Sequence, residues 1–333
     1  MMRAAVFQSI EDIQIKDVPD PVPKEGEVII RPKYCGICGT DLSAWKYSTV
    51  GSGVILGHEI AGEVIELGPG VESWSIGDRV VPNSLIPCMQ CKFCHEGKFS
   101  ICESVEFLGI TINGGMAERV AVPANSLYSI PENMSWQEAA LVEPLAIILH
   151  GFSKIHLRAW HSILILGAGP IGLLATKIAQ ISGAASIAIS EPNEFRRDLA
   201  AKIGQIKINN PKQTPPTFAF ENSFDIVIES SGVANVATEA FSLLKKGGTL
   251  LVLGISADPV EADFMSVVLN EYTIKGSYMG FSEFQASINL ISNQIIEVND
   301  LITKCIKLED VVEEGFQDLM NPDTKNAKIL IEI

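Results

Sequence analysis

The sequence is poor in basic residues. Its 333 residues include 25 Lys and Arg against 40 Asp and Glu, which gives a formal net charge of −15. Nucleic acids and anionic membrane surfaces are bound by clustered Lys and Arg. We therefore expect neither of them as a partner.

The sequence also lacks a segment typical of secretion or membrane insertion. Residues 1–20 carry charges throughout and contain no apolar stretch of the signal-peptide kind. The longest uncharged stretch, residues 159–176, is interrupted by His161 and three glycines, so a strand, a turn and a helix explain it better than a membrane span. We expect a cytoplasmic protein.

The chain has two successive regions with different patterns of predicted secondary structure. Up to about Glu143, short β-rich runs are separated by Gly, Pro, Asn and Asp; they cover residues 3–7, 27–31, 63–66, 79–81 and 118–122. Beyond it, apolar strands alternate with helical stretches; the strands cover residues 162–166, 186–190, 225–228 and 249–253, and two of the helices cover 194–203 and 235–246. This alternation predicts an α/β fold with a doubly wound parallel sheet in residues 145–278. Residues 1–144 and 279–333, which end on a short strand, are predicted to form the β-rich domain.

A glycine-rich turn marks the predicted nucleotide site. The strand at residues 162–166 runs into Gly167-Ala-Gly169-Pro170-Ile171-Gly172, which opens an apolar helix over residues 173–181. The glycines allow a tight turn, close approach of the backbone to a pyrophosphate, and close packing of helix on strand. Glu191 ends the next strand and is placed to bind the adenosine ribose and to repel a 2′-phosphate. NAD is therefore favoured, although Arg196 and Arg197 leave NADP open.

Four cysteines form the strongest local pattern in the chain. Cys88, Cys91, Cys94 and Cys102 have the spacing of a closed structural zinc site. An iron–sulfur cluster is the competing metal, but its ferredoxin-type spacing is shorter at the fourth cysteine. A DNA-reading zinc finger would need ligating histidines and a basic helix, and neither is present.

A second set of metal-binding side chains is spread over the first 143 residues. Cys38, His58 and Glu143 offer one thiolate, one imidazole and one carboxylate, which would leave a fourth zinc position for water or a substrate oxygen. Each residue alone has a plain structural alternative as a core thiol, a core histidine or a helix-capping acid. Their joint arrangement is what identifies them.

In this arrangement the sequence resembles the zinc-dependent medium-chain dehydrogenases of the polyol, butanediol and threonine dehydrogenase branch. The resemblance rests on G-I-C-G-T-D at 36–41, G-H-E-x-A-G at 57–62, G-x-G-V-x-x-W-x-x-G-D-R-V at 68–80, the cysteine lobe, V-E-P-L at 142–145 and the glycine loop, all in family order. It implies a GroES-like catalytic domain, a Rossmann coenzyme domain, and hydride transfer between a secondary alcohol, diol or polyol and NAD. It also implies a homodimer or homotetramer and two zinc ions per chain.

The resemblance assigns roles around the catalytic zinc. Cys38, His58 and Glu143 become its ligands, and Glu59 becomes a ligand or near-ligand, whereas Cys35 becomes a bystander. Asp41 is expected to orient the His58 ring. Thr40 is expected to pass the alcohol proton toward the nicotinamide ribose, with Ser43 next on the route.

The coenzyme contacts fall in the glycine loop and in loops after later strands. The residues expected to bind the dinucleotide are Gly167, Gly169, Pro170, Ile171, Gly172, Glu191, Arg196, Ser230, Gly232, Leu253, Gly254 and Ser277.

Two positions depart from the family pattern. Polyol and threonine relatives usually carry a histidine where this chain has Ser43, and sorbitol dehydrogenases carry an arginine in the neighbourhood of Met279. A less polar diol or secondary alcohol is therefore favoured over a sugar alcohol. Threonine-type dehydrogenation, a zinc-free quinone or enoyl reductase, and a non-catalytic nucleotide-binding protein are the alternatives.

Overall fold

The computed structural model describes residues 1–220 and 223–333. The chain divides into two compact units: a β-rich unit made of Met1–Ala146 and Phe281–Ile333, and an α/β unit, Ile147–Gly280. These junctions differ by two residues from the expected division at 144/145 and 278/279.

The elements of the β-rich unit that precede the α/β unit are mostly short strands. The strands are β1 (Met2–Ser9), β2 (Asp12–Val18), β3 (Glu27–Gly36), β4 (Glu59–Leu67), β5 (Arg79–Pro82), β6 (Leu85–Ile86), β7 (Glu106–Phe107), β8 (Val120–Pro123) and β9 (Leu127–Ser129). The helices are α1 (Gly39–Tyr47), α2 (Lys92–His95) and α3 (Trp136–Ala140), and α4 (Val142–Ser153) begins in this unit and ends in the α/β unit.

Strands and helices alternate in the α/β unit. The strands are β10 (Ser162–Leu166), β11 (Ser186–Ser190), β12 (Lys207–Asn209), β13 (Phe224–Glu229), β14 (Leu244–Val252) and β15 (Thr273–Gly276). The helices are α5 (Pro170–Ile181), α6 (Glu194–Ile203), α7 (Pro216–Phe220), α8 (Ala234–Glu239) and α9 (Phe264–Leu269).

The remainder of the β-rich unit contains α10 (Phe284–Ser292), β16 (Ile302–Lys307), a π-helical segment Val311–Gln317, α11 (Asp318–Met320) and β17 (Lys328–Glu332). Its main sheet has the strand order β16-β17-β3-β4-β5-β9, and β8 also pairs with β3. β17 lies antiparallel to β3, with Leu330 opposite Gly36 and Ile331 opposite Cys35. The last strand of the chain thus lies beside the segment that leads to Cys38.

The sheet of the α/β unit is parallel throughout, with the order β12-β11-β10-β13-β14-β15. Its central strand β10 is apolar and almost fully buried, as expected for a strand covered on both faces. The strand order reverses between β10 and β13, and ligands of such sheets bind outside the carboxyl ends of the strands at this point. The predicted α/β fold with a doubly wound sheet is confirmed.

One predicted helix is wrong in its second half. The sequence predicts a helix over residues 235–246, but α8 ends at Glu239, a 3₁₀ turn covers Ala240–Leu243, and β14 begins at Leu244. Leu244 is paired with Phe224 of β13 and is buried in the core of the unit. Sheet pairing and burial therefore override the local helical preference of this segment.

Among the described residues, no helix has both the length and the apolar character needed to cross a membrane.

Candidate functional site

The four predicted lobe cysteines come together. Cys91 lies at the start of α2, Cys94 lies within it, and Cys102 follows a 3₁₀ turn, Phe99–Ile101. The Sγ atoms all lie within 4.8 Å of one another, with 3.6 Å between Cys91 and Cys94 and 4.0 Å between Cys88 and Cys94. Four sulfurs at about 2.3 Å from a tetrahedral zinc ion would lie about 3.8 Å apart. The lobe therefore fits zinc without rearrangement.

Hydrogen bonds and burial act in opposite directions on these thiols. The backbone N–H groups of Glu103 and Cys94 lower the pKa of the Cys91 thiol to about 6. Burial and the neighbouring thiols raise the pKa of Cys94 to about 12. The site thus favours the thiolate form of Cys91 and disfavours the thiolate form of Cys94. A bound cation would remove the opposition to the Cys94 thiolate, because it compensates the charge of the remaining thiolates.

Cys38 caps helix α1. Its sulfur accepts a hydrogen bond from the backbone N–H of Thr40 (3.5 Å), and the Asp41 carboxylate accepts one from the backbone N–H of Cys38 (2.9 Å). This reciprocal capping fixes the sulfur at the N-terminal end of the helix. Thr40 and Ser43 lie three residues apart on α1, and both are half-buried.

His58 is buried beside Asp41. Its Nδ1 atom lies 3.7 Å from Asp41 Oδ1, and neither atom has a hydrogen-bond partner in the structure. Burial alone would lower the pKa of His58, but the negative charges of Asp41, Cys38 and Glu143 outweigh it and raise the pKa well above its ordinary value. The predicted ligands therefore share one electrostatic environment, and the Asp41 carboxylate lies beside the imidazole.

Glu143, in the first turn of α4, is 3% exposed. Its Oε1 atom accepts a hydrogen bond from the Ser84 hydroxyl (3.1 Å), whereas its Oε2 atom is buried without a partner. Burial raises the pKa of this carboxyl to about 7, although the charge of His58 opposes the shift. A buried carboxylate oxygen that lacks a hydrogen bond is costly, and a metal ion would satisfy it.

Glu59 has a different partner, which the sequence did not suggest. Both of its carboxylate oxygens lie 2.6 Å from the Lys328 ammonium, and this ammonium also donates to the Ile37 carbonyl (3.1 Å). A lysine directly before the apolar residues 329–331 was the only signal for this pair. Cys35 is fully buried in the same region, where burial raises the pKa of its thiol well above the ordinary value.

The predicted catalytic ligands are spaced more widely than the lobe. In residues 1–220 and 223–333, the lobe is the single group of three or more His, Cys, Asp or Glu side chains whose ligand atoms all lie within 4.8 Å of one another. The assignment of Cys38, His58, Glu59 and Glu143 to a metal thus rests on burial, shared charge and the partnerless Oε2 atom of Glu143.

The glycine loop of the α/β unit lies between β10 and α5. Gly167 has φ +102°, and a Cβ atom on Gly172 would lie 2.0 Å from the Gly167 carbonyl oxygen. Gly169 precedes the helix without a side-chain cap and has open space beside it. Pro170 and Ile171 form the first turn of α5. The free N–H groups at this helix end can bind a pyrophosphate.

Glu191 lies directly after β11 and is buried. Its Oε2 atom accepts a hydrogen bond from the Ala168 N–H (2.6 Å), and its Oε1 atom accepts one from the Asn193 N–H (2.8 Å). Glu191 therefore ties the glycine loop to the start of α6. Arg196 lies half-buried in the first turn of that helix, and Arg197 donates to the Glu191 carbonyl (3.0 Å).

The other predicted coenzyme residues follow β13, β14 and β15. The Ser230 hydroxyl donates to the Leu166 carbonyl (2.9 Å), which joins its loop to the end of β10. Gly232 has φ +68°, and Leu253 and Gly254 lie in the neighbouring loop. Ser277 donates its N–H to the Val252 carbonyl, and its hydroxyl is buried without a partner.

Comparison with known proteins places these features in one family. The family model for the alcohol dehydrogenase GroES-like domain matches residues 24–132, and the model for zinc-binding dehydrogenases matches residues 170–293. A probable D-xylulose reductase A of Emericella nidulans is 31% identical, with 98% of this chain and 95% of that protein covered. An L-threonine 3-dehydrogenase of Pyrococcus furiosus is 33% identical, with 90% of this chain and 89% of that protein covered.

Solved structures agree. The 2R,3R-butanediol dehydrogenase of Bacillus subtilis superposes with a TM-score of 0.90 at 30% identity and full coverage of both chains. A protein of Sinorhizobium meliloti 1021, described as a zinc-binding dehydrogenase bound to NADP, has a TM-score of 0.93 at 29% identity, with 100% of this chain and 99% of that one covered. The predicted GroES-like and Rossmann folds are confirmed. The chain therefore belongs to the zinc-dependent medium-chain dehydrogenases and is an oxidoreductase of the alcohol and polyol dehydrogenase type.

Proposed function

We propose that this chain oxidises a small diol or secondary alcohol with NAD, at a zinc site made by Cys38, His58 and Glu143. The observation that carries the proposal is the buried Oε2 atom of Glu143, which lacks a hydrogen-bond partner. The charge of His58 acts on the same carboxyl group. Zinc bound there would supply Lewis acidity toward the substrate oxygen.

The surrounding side chains hold this set in place. Asp41 orients the His58 ring, and the Ser84 hydroxyl holds one oxygen of Glu143. Lys328 balances the charge of Glu59. Among the four predicted ligands of the catalytic zinc, Glu59 thus has a cation that competes with the metal. We assign the four lobe cysteines to a second, structural zinc, because their spacing matches a closed tetrahedron.

Thr40 is assigned the first step of proton removal. Its backbone N–H is bonded to the Cys38 sulfur, which places its half-buried side chain within a helical turn of the proposed metal ligand. A hydroxyl can accept the alcohol proton while it donates its own toward the coenzyme ribose. Ser43, one helical turn further along, continues the route.

A small, less polar substrate is favoured by two side chains. Ser43 and Met279 replace the histidine and arginine that are expected in relatives specific for sugar alcohols, and Met279 is buried. The similarity to a butanediol dehydrogenase supports the same class of substrate.

NAD is proposed over NADP because of Glu191. Its buried carboxylate directly follows β11 and accepts a hydrogen bond from the Ala168 N–H of the glycine loop. A 2′-phosphate beside it would bring like charges together in a site with little water. The similar protein of Sinorhizobium meliloti binds NADP, so both coenzymes are compared in the assay below.

We further propose a homodimer or homotetramer that forms through the exposed edge of the α/β sheet. Edge strand β15 is exposed along its whole length, and helix α9, just before it in sequence, exposes Phe264, Met265, Val268 and Leu269 by 70% or more. Open strand edges and apolar patches of this kind favour pairing with another chain. Light scattering should give at least twice the 36.0 kDa chain mass, and Val268→Asp should reduce it.

A reducing compartment, the cytoplasm, is proposed from the cysteines. All seven are free thiols in the structure, and four of them form the lobe. Metal ligation rather than disulfide bonding is typical of this compartment.

An absorbance assay of the nicotinamide tests the function directly. The panel contains 2,3-butanediol, sorbitol, galactitol, threonine and simple secondary alcohols, each with NAD and with NADP. We expect the highest kcat/KM for 2,3-butanediol or a simple secondary alcohol with NAD. A higher value for sorbitol or threonine would refute the substrate assignment, and activity that persists without zinc would refute the metal site.

A further inference from the structure

Glu229 is a buried carboxylate outside both proposed zinc sites and the proposed proton route. It ends β13 and is 1% exposed. Its Oε1 atom accepts hydrogen bonds from the Ser231 N–H (2.7 Å), the Ser231 hydroxyl (2.5 Å) and the Gly232 N–H (3.0 Å). Within the described part of the chain, no lysine, arginine or histidine forms an ion pair with it. Its charge is therefore stabilised by the loop 230–232 itself.

The same residue also holds the neighbouring loop. The Glu229 carbonyl accepts hydrogen bonds from the N–H groups of Leu253 (2.8 Å) and Gly254 (3.1 Å). Loops 230–232 and 253–254 are thus both fastened to one residue, the first through its side chain and the second through its main chain.

The two loops pack so closely that no side chain fits between them. A Cβ atom on Gly254 would lie 2.3 Å from Glu229 Oε2 and 2.4 Å from the Gly232 nitrogen. Glycine at 254 and glutamate at 229 therefore form a matched pair, in which the glycine makes room for the carboxylate that holds the opposite loop.

We propose that Glu229 is a positioning residue for the coenzyme. It holds loops 230–232 and 253–254 at the spacing that binds the nicotinamide dinucleotide, without touching the dinucleotide itself. This inference rests on the proposed function, since both loops contain predicted coenzyme contacts. A residue that does not contact the coenzyme would thus control the affinity for it.

The strength of these hydrogen bonds depends on the charge of Glu229. Bonds to an ionised acceptor are roughly twice as strong as those between neutral groups. Glu229→Gln keeps an acceptor oxygen at the same reach, whereas Glu229→Leu keeps the bulk and removes every acceptor. The two variants should therefore form a graded series, with leucine the more severe.

Asp225→Asn provides a matched control. Asp225 lies on the same strand and also accepts hydrogen bonds from a backbone N–H and a hydroxyl, both of Ser162, but it is at the opposite end of the strand. Its replacement should lower stability without a change in coenzyme affinity. A general loss of stability in the sheet would instead weaken coenzyme binding in both variants.

The experiment measures the Kd for NADH by fluorescence titration, together with zinc content, melting temperature and the KM for alcohol at saturating NAD. We expect Glu229→Leu to raise the Kd by about tenfold or more and Glu229→Gln to raise it by about threefold, in line with lost charge-assisted hydrogen bonds. Zinc content and the KM for alcohol should stay within about twofold, because the β-rich unit is unchanged.

Three outcomes would overturn the inference. They are a folded Glu229→Leu protein with the wild-type Kd, an Asp225→Asn protein with the same loss of affinity, and an equal rise in the KM for alcohol. If Glu229→Leu does not fold, Glu229→Gln carries the test, and a Glu229→Gln protein with the wild-type Kd for NADH would then overturn the inference. A wild-type protein that binds no NADH or NADPH would refute the proposed function instead.

Discussion

The Lys328 ammonium lies 2.6 Å from both carboxylate oxygens of Glu59, and each side chain is 1% exposed. Burial opposes the charged form of Lys328, but the negative charge of Glu59 outweighs it and raises the pKa of the lysine. The pair joins β17 to the start of β4, and a third hydrogen bond reaches the Ile37 carbonyl just before Cys38. A residue of the last strand thus fixes the region of the predicted catalytic ligands.

Removal of Lys328 should be strongly destabilising. Lys328→Met leaves the Glu59 carboxylate buried without its partner, which typically costs about 3–5 kcal/mol. The double variant Lys328→Met/Glu59→Leu should recover part of that loss, because no uncompensated charge remains. Denaturant unfolding of the zinc-loaded proteins measures both values. A single variant within about 1 kcal/mol of wild type would contradict this account of the pair.

The raised pKa of Lys328 also predicts how the stability of the protein changes with pH. A lysine whose pKa is higher in the folded state contributes stability that is fully present below its unfolded value of 10.5. The contribution is lost as the pH rises through the folded value. The difference in the free energy of unfolding between wild type and the double variant Lys328→Met/Glu59→Leu, which retains neither charge, should therefore stay constant above neutral pH until strongly alkaline solution, where wild type loses stability.

The cysteine lobe should hold one of two zinc ions per chain. Cys94→Ser is expected to lower zinc content by one ion and to reduce stability more than the chemical step, because the lobe is a closed site. Cys305→Ser is the matched control, since Cys305 is an exposed thiol outside both sites. Elemental analysis that finds one zinc or fewer in the wild type, or iron with sulfide, would refute the assignment.

The contribution of Asp225 to the stability of the protein should be lost in acid. Burial alone would raise its pKa, but hydrogen bonds from Ser162 and Lys245 lower the pKa to about 2, against an ordinary value of 3.8. A carboxyl with a lowered pKa contributes stability above its unfolded value and loses it as the pH falls toward the folded value. Asp225→Asn should therefore cost about 2 kcal/mol at neutral pH and progressively less between about pH 4 and pH 2.

Unfolding of wild type and Asp225→Asn at pH 6 and at pH 3 measures this difference. Asp258→Asn, at an exposed aspartate of the same unit, serves as the control and should show no such dependence. A gap between wild type and Asp225→Asn that is as large at pH 3 as at pH 6 would contradict the assignment to the carboxylate.

The sequence was sufficient where the signals are local. The strand Ser162–Leu166, the glycine loop and the helix Glu194–Ile203 were predicted correctly, because each depends on residues adjacent in the chain. The four lobe cysteines lie within 15 residues, so their spacing alone predicts the cluster that the structure contains.

Local signals could not reveal the long-range partners. Glu59 and Lys328 are separated by 269 residues and meet only because β17 and β4 flank β3 in one sheet. Glu229 lies one residue beyond the strand predicted over residues 225–228, and its role depends on the approach of the loop that contains Gly254. The helix predicted over residues 235–246 was wrong at Leu244, because pairing with Phe224 decides the structure of that segment.

The coenzyme preference can be tested at Glu191. Glu191→Ala removes the carboxylate that would repel a 2′-phosphate and should raise the ratio of kcat/KM for NADP to that for NAD by about tenfold or more. Loss of the hydrogen bond to Ala168 should weaken NAD binding at the same time. Glu194→Ala, at an exposed acid in the first turn of α6, should leave the ratio unchanged. A wild-type enzyme that prefers NADP would show that Glu191 has a different role.

The proton route can be tested at Thr40. Thr40→Val keeps the bulk of the side chain and the backbone N–H that bonds to the Cys38 sulfur, and it removes only the hydroxyl. We expect kcat to fall by about 10²-fold or more, which is the usual contribution of a positioned proton-transfer group. Ser43→Ala should cost less than about tenfold, because water can replace a serine that relays a proton but cannot store one. Ser43→His should shift the pH profile of kcat toward the imidazole pKa. Zinc content measured beside each rate separates a lost relay from a disturbed metal site. A Thr40→Val enzyme with intact zinc and near-native kcat would exclude Thr40 from the route.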